Sequence, residues 1–386
     1  MCVIVSTPVM LRLQSRGNPH TIITMRVTLL SKALVVGAYQ RKCELIAAHP
    51  DVELTVLVPP AWEQTALQRA HTQGYTLRTL PIRLNGNFHL HHYPTLGREL
   101  VQAKPDVFHI DEEPYNLATW LALRAAQHLP RQPRTLFFSW QNIQRNYPPP
   151  FSLMERAVVD GVDGAIVGNS EAGQVWLRKG FRKPMWVIPQ FGVDDQIFVP
   201  QENPPPRPFT LGCVGRLRPE KGFALAIEAL RGLPDARLII VGEGPSEPVL
   251  RDQALQMGVA AHVAFWPMVP STEMPALYPQ FDVLVLPSLT QPNWKEQFGR
   301  VLTEAMACGV PVIGSDSGEI PNVIGDAGLI FPEGDSEALG HQLITLRDQP
   351  RLREALGRKG RARVQAHFTM QRVADATVEV YRALLR

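Results

Sequence analysis

The stretch EQFGRVLTEAMACGVP, from Glu296 to Pro311, decides how this chain is read. Two carboxylates, Glu296 and Glu304, flank an expected helix start, and Phe298, Gly299 and Arg300 follow the first of them. Val301 to Cys308 reads as a short buried helix, Gly309 as its C-terminal cap and Pro311 as the opening of the next strand. A helix that starts in a loop presents unpaired backbone N–H groups and a positive dipole end to an anion. A carboxylate beside such a site can accept hydrogen bonds from sugar hydroxyls. A phosphate binder joined to a hydroxyl reader points to a nucleotide-sugar site in an α/β protein.

Three further segments extend the pattern outward: GRLRPEKG (Gly215–Gly222), LIIVGEGP (Leu238–Pro245) and DSGEIP (Asp316–Pro321). With the Glu-x7-Glu spacing and the Phe-Gly after the first Glu, they resemble the family-4 retaining glycosyltransferases of the GT-B fold. Glu319 and Asn322 stand where that family usually has Gly and Glu. The likeness is dense from about Pro189 to the C-terminus and thinner before it. It implies two doubly wound Rossmann-like domains facing a central cleft.

Composition agrees with a large globular protein. At 386 residues the chain suggests two domains. Its 45% apolar and 19% charged residues are ordinary. A net charge of +3 gives no reason to expect a nucleic-acid partner. The four cysteines (Cys2, Cys43, Cys213, Cys308) are scattered, which suits free thiols in a reducing compartment. Residues 1–24 lack a signal-peptide pattern, and Met25 runs straight into an expected strand. They read as a disordered extension or as an upstream start assignment.

Two series of apolar runs alternate with helical patterns. The first comprises Val27–Leu30, Leu54–Val58, Val107–Ile110, Thr135–Phe138, Ala165–Val167 and Trp186–Ile188. The second comprises Leu211–Val214, Leu238–Val241, Val263–Phe265, Val283–Leu286, Val312–Ile313 and Leu329–Phe331. Continuous rather than alternating strands imply sheets covered on both faces, and strands between helices imply parallel βαβ units. The expected organisation is an acceptor-side domain over 25–201, a Pro-rich hinge over 202–208 and a nucleotide-sugar domain over 209–371. The helix over 372–385 is expected to return to the first domain.

Departure of a nucleoside diphosphate builds negative charge. No Asp-x-Asp metal motif occurs in the chain, and no metal or cofactor is expected. Arg216 and Lys221, after Gly215, are the candidate substitutes, with N–H groups near Gly299 and Arg300. By the resemblance Arg216 and Lys221 contact the diphosphate, Glu304 the ribose hydroxyls and Glu296 the donor-sugar hydroxyls. Met268 and Val269 are expected against the nucleobase, and Phe298 and Val301 are further donor-binding candidates. Pro267 replaces the family's usual Gly there, so UDP and GDP both stay open.

The resemblance makes His109, at a strand end, the catalytic-site candidate of the first half. Asp111, Glu112 and Glu113 follow it as acceptor binders or as a helix N-terminal acid cluster. Trp140 and Asn142 offer an acceptor platform, otherwise core aromatic plus loop. The first βα turn has one glycine, Gly37, a candidate phosphate neighbour, with Tyr39 and Arg41 reshaping the acceptor side. His89, His91 and His92 read as an acceptor loop or surface rather than a metal site. Gly242-Glu243-Gly244 lacks the third glycine of a dinucleotide fingerprint. The basic run Arg351 to Arg363 reads as a solvated helix face, with contact to an anionic membrane as the alternative.

With what the resemblance implies, these features read as a metal-independent retaining hexosyltransferase. Its donor is a nucleoside-diphosphate sugar and its acceptor a glycan, a glycolipid or another lipid-linked acceptor, or a small molecule. The expected address is the cytoplasm, with the inner face of the membrane as the alternative, in a monomer or a dimer. A glycoside phosphorylase and a catalytically silent sugar-nucleotide binder are the rival readings.

Overall fold

A computed structural model describes residues 4–5, 24–201 and 207–386. It divides into two compact units, one of residues 1–192 with 370–386 and one of residues 193–369. The division precedes the Pro-rich segment expected to be the hinge, because Val193 already belongs to the second unit. Its N–H donates to the Phe368 carbonyl at 2.8 Å, and Phe198 packs in that unit's core. Residues 202–206 of the expected hinge lie outside the described residues.

The strands of the first unit begin with β1 (Ile4–Val5), β2 (Met25–Leu30), β3 (Val52–Val58), β4 (Ala61–Trp62) and β5 (Thr65–Ala66). They continue with β6 (Thr76–Thr79), β7 (Val107–Ile110), β8 (Arg134–Ser139), β9 (Gly164–Val167) and β10 (Met185–Val187). Eight of them form one parallel sheet in the order β1-β10-β9-β8-β7-β2-β3-β6. β4 and β5 pair separately as a short antiparallel ribbon. Of the extension expected to be disordered, only Ile4–Val5 and Thr24 are described, and Ile4–Val5 makes an edge pairing that the expectation missed. The polar edge strand β6 was missed as well, since it has no apolar run to mark it.

The second unit holds β11 (Thr210–Val214), β12 (Arg237–Val241), β13 (Val263–Trp266), β14 (Val283–Leu286), β15 (Val312–Ser315) and β16 (Leu329–Phe331). Their order is β13-β12-β11-β14-β15-β16, parallel throughout. Successive side chains enter opposite layers. Val283 and Val285 pack with Leu211 and Ile240, whereas Leu284 and Leu286 pack with Val214 and Leu302. All four residues of β14 are at most 1% exposed. Each such burial is worth about 1.5–3 kcal/mol, which is why the apolar runs were legible as strands.

Both sheets reverse their order once, between β2 and β7 and between β11 and β14. Ligands of open α/β sheets bind at such reversals, beyond the C-terminal strand ends. No described helix is long and apolar enough to cross a membrane.

The last helix, Met370–Leu385, belongs to the first unit. Val373, Thr377, Val380, Tyr381 and Leu384 recur at helical spacing and are buried against that sheet. Arg382 clamps Asp51 through two contacts of 2.8 and 2.7 Å. Deeper in, the Tyr381 hydroxyl is 2.8 Å from His109 Nδ1, both groups buried. Removing that hydroxyl strands a buried ring nitrogen. Tyr381→Phe should lower stability by about 1–3 kcal/mol, read as an earlier urea midpoint with an unchanged slope. A wild-type midpoint would show that the bond contributes nothing.

Candidate active site

In the second unit the loops after β11 and β14 meet at the strand-order reversal. Lys221 Nζ lies 2.7 Å from Glu296 Oε2, which also accepts from Ser288 Oγ at 2.9 Å. Glu296 is buried, with 7% of its surface exposed. The loops can approach this closely because of Gly222. It has φ +64°, and a Cβ there would stand 1.9 Å from the Pro287 carbonyl oxygen. Arg216 is exposed and makes no side-chain hydrogen bond among the described residues. Gly215 supports the neighbouring loop, since Gly242 crosses its carbonyl too closely to carry any side chain. The glycines of Gly242-Glu243-Gly244 thus serve loop packing.

The helix Arg300–Ala307 starts at Gly299, whose φ is +75°. Glu304 is buried on this helix, and its carboxylate accepts from the Tyr278 phenol and from Arg300 Nε. Burial and the Glu304 charge raise the Tyr278 hydroxyl well above its ordinary pKa, so it remains a donor. Beside Glu304 opens a cavity of about 600 Å³, lined by Glu243, Met268, Val269, Pro270, Ser271, Met274, Arg300, Val301 and Glu304. Five of those, Met268, Val269, Arg300, Val301 and Glu304, were named from sequence. Phe298 instead packs into the core, 5.7 Å from the Phe368 ring. Sequence reasoning missed Tyr278, Ser288 and Met274, which carry no local signal, and Glu243, whose segment was read only for its glycines.

The first unit repeats the scheme at its own reversal. Ser31 donates to Asp111 at 2.6 Å, and Lys32 pairs with Glu112. Burial would raise Glu112, but Lys32 and His91 bring it down to about 2. Tyr93 donates to the same carboxylate at 3.0 Å. Asp111 is pushed up by burial against the nearby Lys42 charge and the bonds from Ser31 and Gln190. Glu113 is half-buried and accepts from Ser139 Oγ at 2.6 Å and the Trp140 N–H at 2.7 Å. Burial nonetheless lifts it to about 7.

Two residues named from sequence, His109 and Gly37, lie in packed surroundings. His109 is 1% exposed, and its Nδ1 lies 2.8 Å from the Tyr381 hydroxyl of the C-terminal helix. Gly37 is packed beneath the segment 68–70, and its N–H donates to Gln68 Oε1 at 2.8 Å. Trp140 is half-buried, lies against Gly168 and donates to Gln190 at 3.0 Å, while Asn142 is buried and reaches Glu171 at 3.4 Å. His89 sits among the rings of Tyr115, Tyr147 and Phe151, and His91 faces Glu112 at 3.4 Å.

Residues 194–363 match the family described as Glycosyl transferases group 1, which places that similarity in the second unit. The D-inositol 3-phosphate glycosyltransferase of Segniliparus rotundus is 33% identical over 183 residues, 45% of this chain and 39% of that one. A GDP-mannose-dependent alpha-(1-6)-phosphatidylinositol monomannoside mannosyltransferase of Mycolicibacterium smegmatis is 38% identical over 157 residues, 39% of this chain and 41% of that one. The chain thus spans about two-fifths of the length of these two relatives. Among solved structures, HepE of Anabaena in complex with UDP superposes with a TM-score of 0.71 at 18% identity, covering 93% of this chain and 100% of that one. Sucrose-phosphate synthase from Thermosynechococcus elongatus gives 0.69 at 21%, covering 93% and 98%. The fold is therefore that of the GT-B glycosyltransferases, built from two Rossmann-like units.

Burial and the Lys42 charge hold His109 well below its ordinary 6.5. The unfolded chain therefore binds a proton that the folded chain refuses, and stability is lost as pH falls below about 6.5. Relative to His109→Asn, the wild-type protein should lose about 1.4 kcal/mol per pH unit below that point. Urea titrations from pH 7 to 5 measure this, and parallel curves would contradict the assigned burial.

Proposed function

We propose that this chain is a metal-independent retaining hexosyltransferase that uses a UDP- or GDP-activated sugar. The observation that carries the reading is the meeting of Lys221, Glu296 and Ser288 at the strand-order reversal of the second unit. The cavity beside Glu304 and the similarity of this unit to group 1 glycosyltransferases support it.

In this reading Met268 and Val269 pack on the base and Glu304 accepts the ribose hydroxyls. Arg300 releases Glu304 to do so, while the buried Tyr278 phenol keeps the carboxylate oriented. The diphosphate lies toward Arg216, Lys221 and the first turn of the helix Arg300–Ala307. The bond between the anomeric carbon and the diphosphate oxygen breaks, and its electron pair stays on that oxygen. Cations and N–H groups fixed in place stabilise the growing charge without reorganising. The acceptor hydroxyl attacks on the same face, and its proton passes to the departing phosphate oxygen. Glu296 binds donor-sugar hydroxyls and forms no covalent bond.

On the first unit, Glu113 is the acid most open to an acceptor hydroxyl, with Asp111 and Glu112 behind it. The two relatives are named for an inositol phosphate and a phosphatidylinositol mannoside. Those names favour a polyol, glycan or lipid-linked acceptor here, met in the cytoplasm or at the inner face of the membrane.

Glu296→Ala should lower turnover by about 100-fold while the thermal midpoint stays near the wild-type value. Wild-type turnover in that variant would remove Glu296 from the donor site. The broader test follows nucleoside-diphosphate release from UDP-, GDP- and ADP-sugars with EDTA present. Release from one donor is expected. Turnover that needs free phosphate and no nucleotide would replace the reading with a phosphorylase. Silence across the panel, with no thermal shift by any nucleotide, would end it.

A further inference from the structure

Trp294 has no part in the core and none in the roles assigned above. The segment after β14 makes a tight turn, in which the Gln291 N–H donates to the Trp294 carbonyl at 2.8 Å and the Trp294 N–H returns to Gln291 at 3.2 Å. This turn holds the half-buried indole with its ring centroid 4.9 Å from Lys221 Nζ. The rest of Lys221 is fixed by the same segment. The Leu289 N–H donates to the Glu220 carbonyl at 2.8 Å, and Gly222 is pressed against the Pro287 carbonyl. Carboxylate and indole thus share one ammonium group.

Glu296 has two claims on it, which cannot be met at once in full. It holds Lys221 now, and in the proposed reaction it accepts hydroxyls of the donor sugar. As the carboxylate turns to those hydroxyls, the ammonium loses its ionic partner, and a long flexible lysine stem would let it drift toward water. An aromatic face attracts the charge as a whole and occupies no particular N–H. All three N–H donors then stay available for phosphate oxygens.

We infer that Trp294 is a positioning residue, whose ring keeps Lys221 aimed at the diphosphate leaving group while Glu296 binds the donor sugar. This rests on the proposed function. Because charge on the leaving group grows toward the transition state, the loss should fall on kcat rather than on donor binding.

The test measures kcat, KM and thermal midpoint for wild type, Trp294→Leu and Trp294→Phe with the donor that the nucleotide-sugar panel selects. Trp294→Leu should lower kcat about tenfold with KM within about twofold, and Trp294→Phe should recover to within about threefold of wild type. The midpoints should coincide. In a Lys221→Ala background, Trp294→Leu should add no further loss. An unchanged kcat, a rise in KM alone, a failed Phe rescue or an additive loss in that background would each overturn the inference and leave the proposed function standing. A wild-type protein that consumes no donor would overturn both.

Discussion

Each sheet of this protein turns its strand order between two neighbouring strands, and that turn brings distant charged side chains together. In a parallel sheet every βα loop leaves from the same edge. Where the order turns, two neighbouring loops part to opposite faces and leave a crevice between them. In the second unit this brings Lys221 to within 2.7 Å of Glu296, 75 residues further along the chain. In the first it brings Lys32 to Glu112, 80 residues apart. A lysine from the loop after one strand of the reversal and a carboxylate from the loop after the other occur in both units.

The two pairs differ in how far they are sealed. Lys32 and Glu112 have side chains 12% and 0% exposed, and Tyr93 and His91 complete the enclosure. Separating a buried pair leaves an uncompensated charge, so such a pair behaves as structure. Lys221 and Glu296, at 21% and 9%, sit under a loop that also offers an indole and a serine hydroxyl. A partly open pair with alternative partners can exchange them, which a substrate with both phosphate and hydroxyl groups would require.

Burial also sets which partners neighbouring residues face. His109 and Asp111 lie two residues apart around the end of β7, yet His109 turns toward Tyr381 of the C-terminal helix and Asp111 toward Ser31 and Gln190. The return of that helix to the first unit makes His109 a core residue. Gly37 tells the same story, closed in by Gln68 and Ala70 from a segment that no local pattern connects to it.

All twelve runs read as strands are strands, because a strand covered on both faces must be apolar throughout, and that is a local property. The spacing of Glu296 and Glu304 around a helix start was equally legible, as were Met268, Val269, Arg300 and Val301, which line the cavity with Glu304. What the tertiary structure alone decided is which side chains face each other across long loops. Tyr278 reaches Glu304, Trp294 covers Lys221, and Tyr381 claims His109, 272 residues away. Apolar periodicity says that a residue is inside and on which face of its own element. It carries no record of the partner packed against that face, because that partner is chosen by the order of strands in the sheet and the path of the last helix.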